Sequence, residues 1–361
     1  MDPLVMKQFV KAFLKGEKAV IRKGVGDFVN SFWPNLAHWS GMLWDPKGFP
    51  NIIYELNKED GSTRENIAYF PWYYRLVMKA FMPKRLSKIK DMKRFVNKWP
   101  MATSERSGIL EYLEDSSKFD EHYIRAHENS DCVGLENVGA PLASNILPMF
   151  AGCCKSVEMN ERDWNAIETK CVGLGDPYCE FRVVPGEINE LKASLEKDSS
   201  VVQRINDRLM ERLTAFLLNK QPLPEGPRLG SDVHVHVACH AMGFPHLGER
   251  YRMAQRMGGA KSGREVGERL SKEGIDGNEA INLVIDFINH CNAGNATVGE
   301  TLRIRENCEA LRTKLFTTIS EPSCFFTTGF LNGLFSAVKN RHVRETRCIV
   351  AGDPYCEWGI Y

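Results

Sequence analysis

Gly175-Asp176-Pro177-Tyr178-Cys179 returns 177 positions later as Gly352-Asp353-Pro354-Tyr355-Cys356. The match runs well past five residues. Upstream, Glu168-Thr169-Lys170-Cys171 corresponds to Glu345-Thr346-Arg347-Cys348 at the same offset. Further back, Glu128-Asn129 pairs with Glu306-Asn307 at an offset of 178, and residues 141–152 pair with 322–333 at 181. Offsets that drift by a few residues are what loop insertions between duplicated elements leave behind. A period this long means two whole domains, not a solenoid of small units.

The chain has 361 residues, enough for two domains and an extension, each with its own core. Its 47 basic and 46 acidic side chains nearly cancel, so the whole chain has no electrostatic reason to seek nucleic acid or an anionic membrane. No apolar run approaches the roughly 20 residues that span a bilayer. The first residues interleave charges with apolar side chains and show no small-residue cleavage site, unlike a secretory signal. Eleven cysteines without an export signal imply a reducing compartment, where clustered thiols hold metal or stay free. The expected location is the cytoplasm, and a homodimer is an open possibility.

The expected organisation is an N-terminal extension over 1–60, a first domain over 61–186, a helical linker over 187–230 and a second domain over 231–361. The extension has no evident counterpart in the second half. Its aromatics, Phe28, Phe32, Trp33, His38, Trp39 and Trp44, are expected to pack on the first domain or to line an apolar pocket. Residues 81–99 place Met82, Leu86, Ile89, Met92, Val96 and Trp99 at helical spacing among lysines and arginines, a basic amphipathic helix. Residues 187–197 and 201–219 read as two further helices, and Pro222 to Pro227 as a rigid loop. Gly259, Gly263 and Gly267 share one face of a helix and predict close packing of another element. Lys-Ser precedes Gly in this segment, so it is not a phosphate-binding loop.

Each repeat spells Glu-x-x-Cys-x7-Cys, with Gly-Asp-Pro inside the spacer. Asp-Pro favours a turn that brings the two thiols together. A helical turn would let the preceding glutamate reach the same point. In the second repeat Cys324 adds a third thiol, and three thiolates with one carboxylate suit a four-coordinate Zn²⁺. Arg344 and Arg347 stand next to this set and are expected to offset its charge. The first repeat has Glu168, Cys171 and Cys179, but Ala143 where Cys324 would fall. Cys132, Cys153 and Cys154 are alternatives for the missing ligand, and the site is otherwise weak, open or empty.

The words Arg305-Glu306-Asn307, Pro322-Ser323-Cys324, the following 329–335 run, Glu345-x-x-Cys348 and Gly352-Asp353-Pro354-x-Cys356 resemble the 4-vinyl reductase domain. That family is similar in fold to TRAPP trafficking subunits and, more remotely, to haem gas sensors. The resemblance implies an α/β (α+β) fold, two tandem domains that each wrap a small antiparallel sheet with helices around a hydrophobic pocket. It implies Cys324, Glu345, Cys348 and Cys356 as zinc ligands, with Glu168, Cys171 and Cys179 as a partial copy. It also implies a small hydrophobic ligand, either an aromatic, a hydrocarbon or a tetrapyrrole.

A second polar cluster lies in 231–246. Read as a strand, Asp232, His234 and His236 share one face, an arrangement known for an open catalytic metal such as iron, with His240 or His246 as spare donors. Read as a helix, His236 and His240 face together. Two function classes follow: a sensor, carrier or biosynthetic accessory with structural zinc, or a metal-dependent enzyme acting on a hydrophobic or tetrapyrrole substrate through His234 and His236 or an incompletely coordinated metal in the first half.

Overall fold

The computed structural model describes residues 22–64, 85–97, 106–238, 248–311 and 321–361. It is a mixed α/β chain with small antiparallel sheets. Two compact units are present. One comprises Pro46–Arg204 with Glu225–Ser231, and the other the described parts of Met1–Asp45, Ile205–Pro224 and Asp232–Tyr361.

Along the chain, β1 (Phe28–Asn30) precedes α1 (Phe32–Trp44), α2 (Gly48–Arg64) and α3 (Ile89–Asn97). Next come β2 (Ile109–Tyr112), β3 (His122–His127), α4 (Ile146–Val157), β4 (Trp164–Lys170) and β5 (Cys179–Pro185). These four strands form one antiparallel sheet in the order β2-β3-β5-β4. After the short helix Leu191–Leu195 come α5 (Ser199–Leu217), β6 (Asp232–His234), α6 (Glu249–Lys272) and α7 (Gly277–His290). The second sheet is built from β7 (Asn295–Val298), β8 (Thr301–Arg305), β9 (Val343–Arg347) and β10 (Cys356–Ile360), with α8 (Phe325–Lys339) between β8 and β9. Its order, β7-β8-β10-β9, repeats the first topology.

The predicted glycine face is where α6 meets α8. A Cβ added at Gly263 would sit 1.9 Å from the Phe330 carbonyl oxygen, and one at Gly333 would sit 2.0 Å from that of Ala260. Only a glycine lets two helix backbones approach this closely. The first sheet carries the same device. Gly61 of α2 lies against the Met149 carbonyl and Gly152 of α4 against that of Lys58. Helix α2 is therefore the counterpart of α6, which corrects the reading that residues 1–60 are unmatched in the second half. The sequence match is hidden because little beyond the contact glycine is shared.

The aromatic stretch, expected on the first domain, belongs to the other unit. Helix α1 lies in the unit of the second sheet, where Gly258 of α6 abuts the Ser40 backbone and Ser40 Oγ lies 2.7 Å from Ser262 Oγ. Trp33 is buried edge-on against Phe326 and Phe330, with ring centroids 5.2 and 5.9 Å away.

Ahead of each helix pair, a glycine loop meets a glutamate held at positive φ. Gly24 and Val25 donate backbone N–H groups to Glu306, and Arg228 and Leu229 donate theirs to Glu128. Gly26 and Gly230 follow these donors with φ of 80° and 75°. The loop at 24–26 thus belongs to the second sheet's unit and the loop at 226–230 to the first's.

Of the basic amphipathic helix, 81–84 and 98–99 lie outside the described residues. The remainder contains α3, which buries Met92, Phe95 and Val96. Among the described residues no helix is long and apolar enough to cross a membrane.

Candidate metal centres

Each Gly-Asp-Pro-Tyr-Cys word is the return of a hairpin that ends in a strand. Gly175 and Gly352 adopt φ of 100° and 101°, a left-handed conformation that side chains disfavour. The aspartate that follows turns back and accepts the backbone N–H of the first cysteine, Asp176 from Cys171 and Asp353 from Cys348, each at 2.9 Å. The word therefore encodes a clamp that positions one cysteine and delivers the next.

The glutamate reaches this point by a route that differs from the expected helical turn. Glu168 and Glu345 lie on strands β4 and β9, where residues three apart normally face opposite sides. In the register, Glu168 faces Phe181 and Lys170 faces Glu180, so Thr169 is an extra residue. Glu345 and Arg347 face Trp358 and Glu357 in the same way, leaving Thr346 extra. The bulge restores phase, so that glutamate and cysteine point to one face. Thr169 and Thr346 each donate a hydroxyl to the facing carbonyl, that of Glu180 at 3.0 Å and that of Glu357 at 3.2 Å.

In the second sheet Cys324, Glu345, Cys348 and Cys356 bring their ligand atoms within 4.8 Å of one another. The sulfur separations are 3.5 Å for Cys324–Cys356 and 3.9 Å for both Cys324–Cys348 and Cys348–Cys356. Cys324 sits at the N-cap of α8, and its backbone N–H reaches Glu345 Oε2 at 3.3 Å. The other Glu345 oxygen is buried without a hydrogen-bond partner, as a ligand awaiting a cation would be.

In the first sheet the group is Cys132, Cys171 and Cys179, with separations of 3.4, 3.8 and 4.0 Å. Of the three alternatives for the missing thiol, the structure selects Cys132, in the 3-10 turn Ser130–Cys132. Cys153 and Cys154 lie on α4, where Cys153 Sγ is 3.5 Å from the Gly61 carbonyl oxygen. Glu168 joins the periphery. One oxygen accepts the Ala143 N–H at 3.1 Å and the other, Oε1, is buried without a hydrogen-bond partner. Both clusters could hold a metal ion, and all six thiols are unbonded to one another.

The electrostatics of the two groups run in parallel. The sulfurs of Cys132 and Cys179 hold Cys171 as the thiolate, down at about 3, and those of Cys324 and Cys356 hold Cys348 down at about 2. Backbone N–H groups of Leu142 and Gly173 add to this at Cys171, at 3.2 and 3.3 Å. Burial pushes Glu345 up to about 9 and raises Glu168 well above the carboxylate range. Buried carboxyl and thiol groups with raised values give up their protons to a bound cation. The expected role of Arg347 is not seen. It lies on the far face of the sheet, with Nε 3.6 Å from Glu357 and Nη1 3.3 Å from the Tyr355 hydroxyl. Arg344 is exposed on that same face.

Around the ligands an inner frame is repeated that the sequence reading missed. Asn129 and Asn307 donate side-chain N–H groups to Cys179 and Cys324, while their oxygens accept the N–H of Asp131 and of Glu309. Those two buried carboxylates then bind the start of the following helix. Asp131 accepts from Ser144 and Asn145, and Glu309 from Phe326 and Thr327. Burial raises both, Glu309 to about 7. The signal was available in the Glu-Asn match at 128 and 306, two and three residues before these acids.

The strand holding Asp232 and His234 ends at His234, and His236 belongs to the short helix Val235–Ala238. Asp232 and His234 therefore share the strand, and His236 follows its end. The ring of Phe28, which pairs with His234 across β1 and β6, packs edge-on to the imidazole at 5.6 Å. His240 and His246 lie outside the described residues.

No protein-family model matches the chain. It is 30% identical over 103 residues to an uncharacterised protein of Methanocaldococcus jannaschii, a match taking in 28% of this chain and 60% of that protein. The chain therefore spans about three-fifths of that relative's length. Among solved structures, the phenol-responsive sensory domain of the transcription activator PoxR with phenol is matched over 46% of this chain and 82% of that one. The identity there is 12% and the TM-score 0.34.

Proposed function

We propose that the chain is a binding protein of two sheet-and-helix units, each clipped by a structural zinc ion, that holds a small hydrophobic molecule as a sensor, carrier or biosynthetic accessory. The size of the sulfur triangles carries the metal assignment. Zn–S bonds of about 2.3 Å in a tetrahedron place sulfurs about 3.8 Å apart. The six separations run from 3.4 to 4.0 Å. A fourth position taken by Glu345 leaves no vacancy for substrate, which favours a clip over a catalyst. The hydrophobic ligand is supported by the resemblance of 305–307, 322–335 and 345–356 to the 4-vinyl reductase domain. The enzyme alternative would draw on Asp232 and His234 of β6 and His236 of the helix that follows, whereas the groups of three or more possible metal ligands among the described residues are the two sulfur clusters.

Elemental analysis of protein purified without added chelator tests the metal, and native mass spectrometry of the same sample tests the ligand. The expected result is about two zinc per chain and a co-purifying apolar molecule. A metal other than zinc, or a light-atom coordination shell in X-ray absorption, would overturn the clip.

A further inference from the structure

The inner face of the second sheet faces the core through Leu302, Ile304, Val343, Cys356 and Trp358. Strand alternation sends Arg303, Arg305, Arg344 and Arg347 to the outer face, where all four are exposed. One carboxylate, Glu357, stands among them and is shared. Arg303 pairs with one of its oxygens and Arg347 approaches the other at 3.6 Å. The side chains of Arg305 and Arg344 make no ion pair or hydrogen bond among the described residues. Glu345 of β9 points to the inner face, and Glu306, which follows Arg305, is held by the Gly24 and Val25 N–H groups.

Aromatic surface lies between these charges. The guanidinium carbons of Arg303 and Arg347 lie 5.2 and 5.7 Å from the Tyr355 ring centroid. Gly359 leaves the middle of the face bare, and the Tyr361 ring covers it, 68% exposed. The first sheet is an internal control. On its outer face Arg125 meets Glu111 and Glu180, Lys170 meets Glu180, and Arg182 meets Glu121. The same fold is thus stable with a balanced face, so the positive excess on the second sheet is not a demand of the architecture. Near-neutrality of the whole chain conceals this segregation.

We propose that the outer face of the second sheet binds single-stranded nucleic acid, with the arginines on phosphates and the exposed tyrosine available to a base. Stacking rings among cations on an open sheet face fit this class. An acidic peptide would use the charge but leave the rings idle.

The test is fluorescence anisotropy with labelled single-stranded RNA and DNA of about a dozen nucleotides, near the footprint of small sheet-based binders. Binding in the range of about 1–100 µM that weakens steeply with salt is expected. Arg305→Glu with Arg344→Glu should weaken it at least tenfold while zinc content and the unfolding midpoint hold, and Tyr361→Ser should weaken it without changing the salt dependence. Three results would overturn the proposal: no binding of either probe at low salt, binding indifferent to the double substitution, or polyglutamate competing as well as the oligonucleotides.

Discussion

Cys132 Sγ stands 3.4 Å from Cys179 Sγ, yet the position matching Cys132 in the second half is Ala310. The reverse holds at Ala143 and Cys324. Each half takes two sulfurs from its hairpin and draws the third from a different neighbouring segment, a 3-10 turn in one and a helix N-cap in the other.

Moving the third sulfur should therefore be tolerated. Cys132→Ala is expected to lower zinc from about two to about one per chain, and adding Ala143→Cys should restore the second ion, because that position is the counterpart of Cys324. Zinc content unmoved by Cys132→Ala would sink the first centre.

Removing the clamp under a ligand should loosen the metal without deleting a donor. Asp353→Ala takes away the acceptor of the Cys348 N–H. Loss of such outer-shell partners typically costs about 10–100-fold in affinity. Competition with a chromophoric chelator should show one of two ions released earlier, and Asp176→Ala should do the same for the other. Unchanged release in both variants would contradict the positioning role.

Glu309 gives stability a pH dependence of known sign. Burial raises its folded value to about 7, above the ordinary 4.5. The folded state therefore holds the proton more tightly than the unfolded one. The resulting stabilisation is complete below about 4.5 and is lost as pH rises through about 7. A shift of this size is worth on the order of 3 kcal/mol. Urea unfolding of the zinc-loaded protein and of Glu309→Gln should diverge across this window, the variant losing less stability as pH rises. Parallel curves would refute it.

The helix crossing predicts a ranking of alanine substitutions. Gly263→Ala places a methyl 1.9 Å from a backbone oxygen and should cost about 3 kcal/mol or more, whereas Gly267→Ala meets Ala337 Cβ at 2.8 Å and Val338 Cγ1 at 2.9 Å, a milder overlap relieved by a small helix shift, and should cost about 1–2 kcal/mol. Gly299→Ala finds nothing within 4 Å and should be nearly neutral. Chemical denaturation midpoints in any other order would show that the contact is looser than described.

Much of this was legible in the letters. The hairpin words, the glycine face of α6 and the pairing of Cys348 with Cys356 follow from spacing and turn chemistry, while the full set with Cys324 and Glu345 was implied by the family resemblance. The bulge at Thr169 and Thr346 was not, because an extra residue is defined by the partner strand and leaves no mark in its own. Cys132 was one option of three, since reach across a turn depends on tertiary packing. The match of α2 to α6 escaped because what the two helices share is a backbone contact at Gly61 and Gly263, while the remaining side chains are free to differ. The strand of Asp232 stops at His234, three residues long, where alternation in the sequence carries it on to His236.

The glycine loops at 24–26 and 226–230 have a topological consequence. Each compact body is fastened by a strap encoded beside the other one, so the polypeptide is plaited and not beaded. Cutting it between the repeats would yield two pieces that each carry the buckle for the opposite partner. They are expected to refold as a mixed pair, and neither alone should regain the full cooperativity of the intact chain.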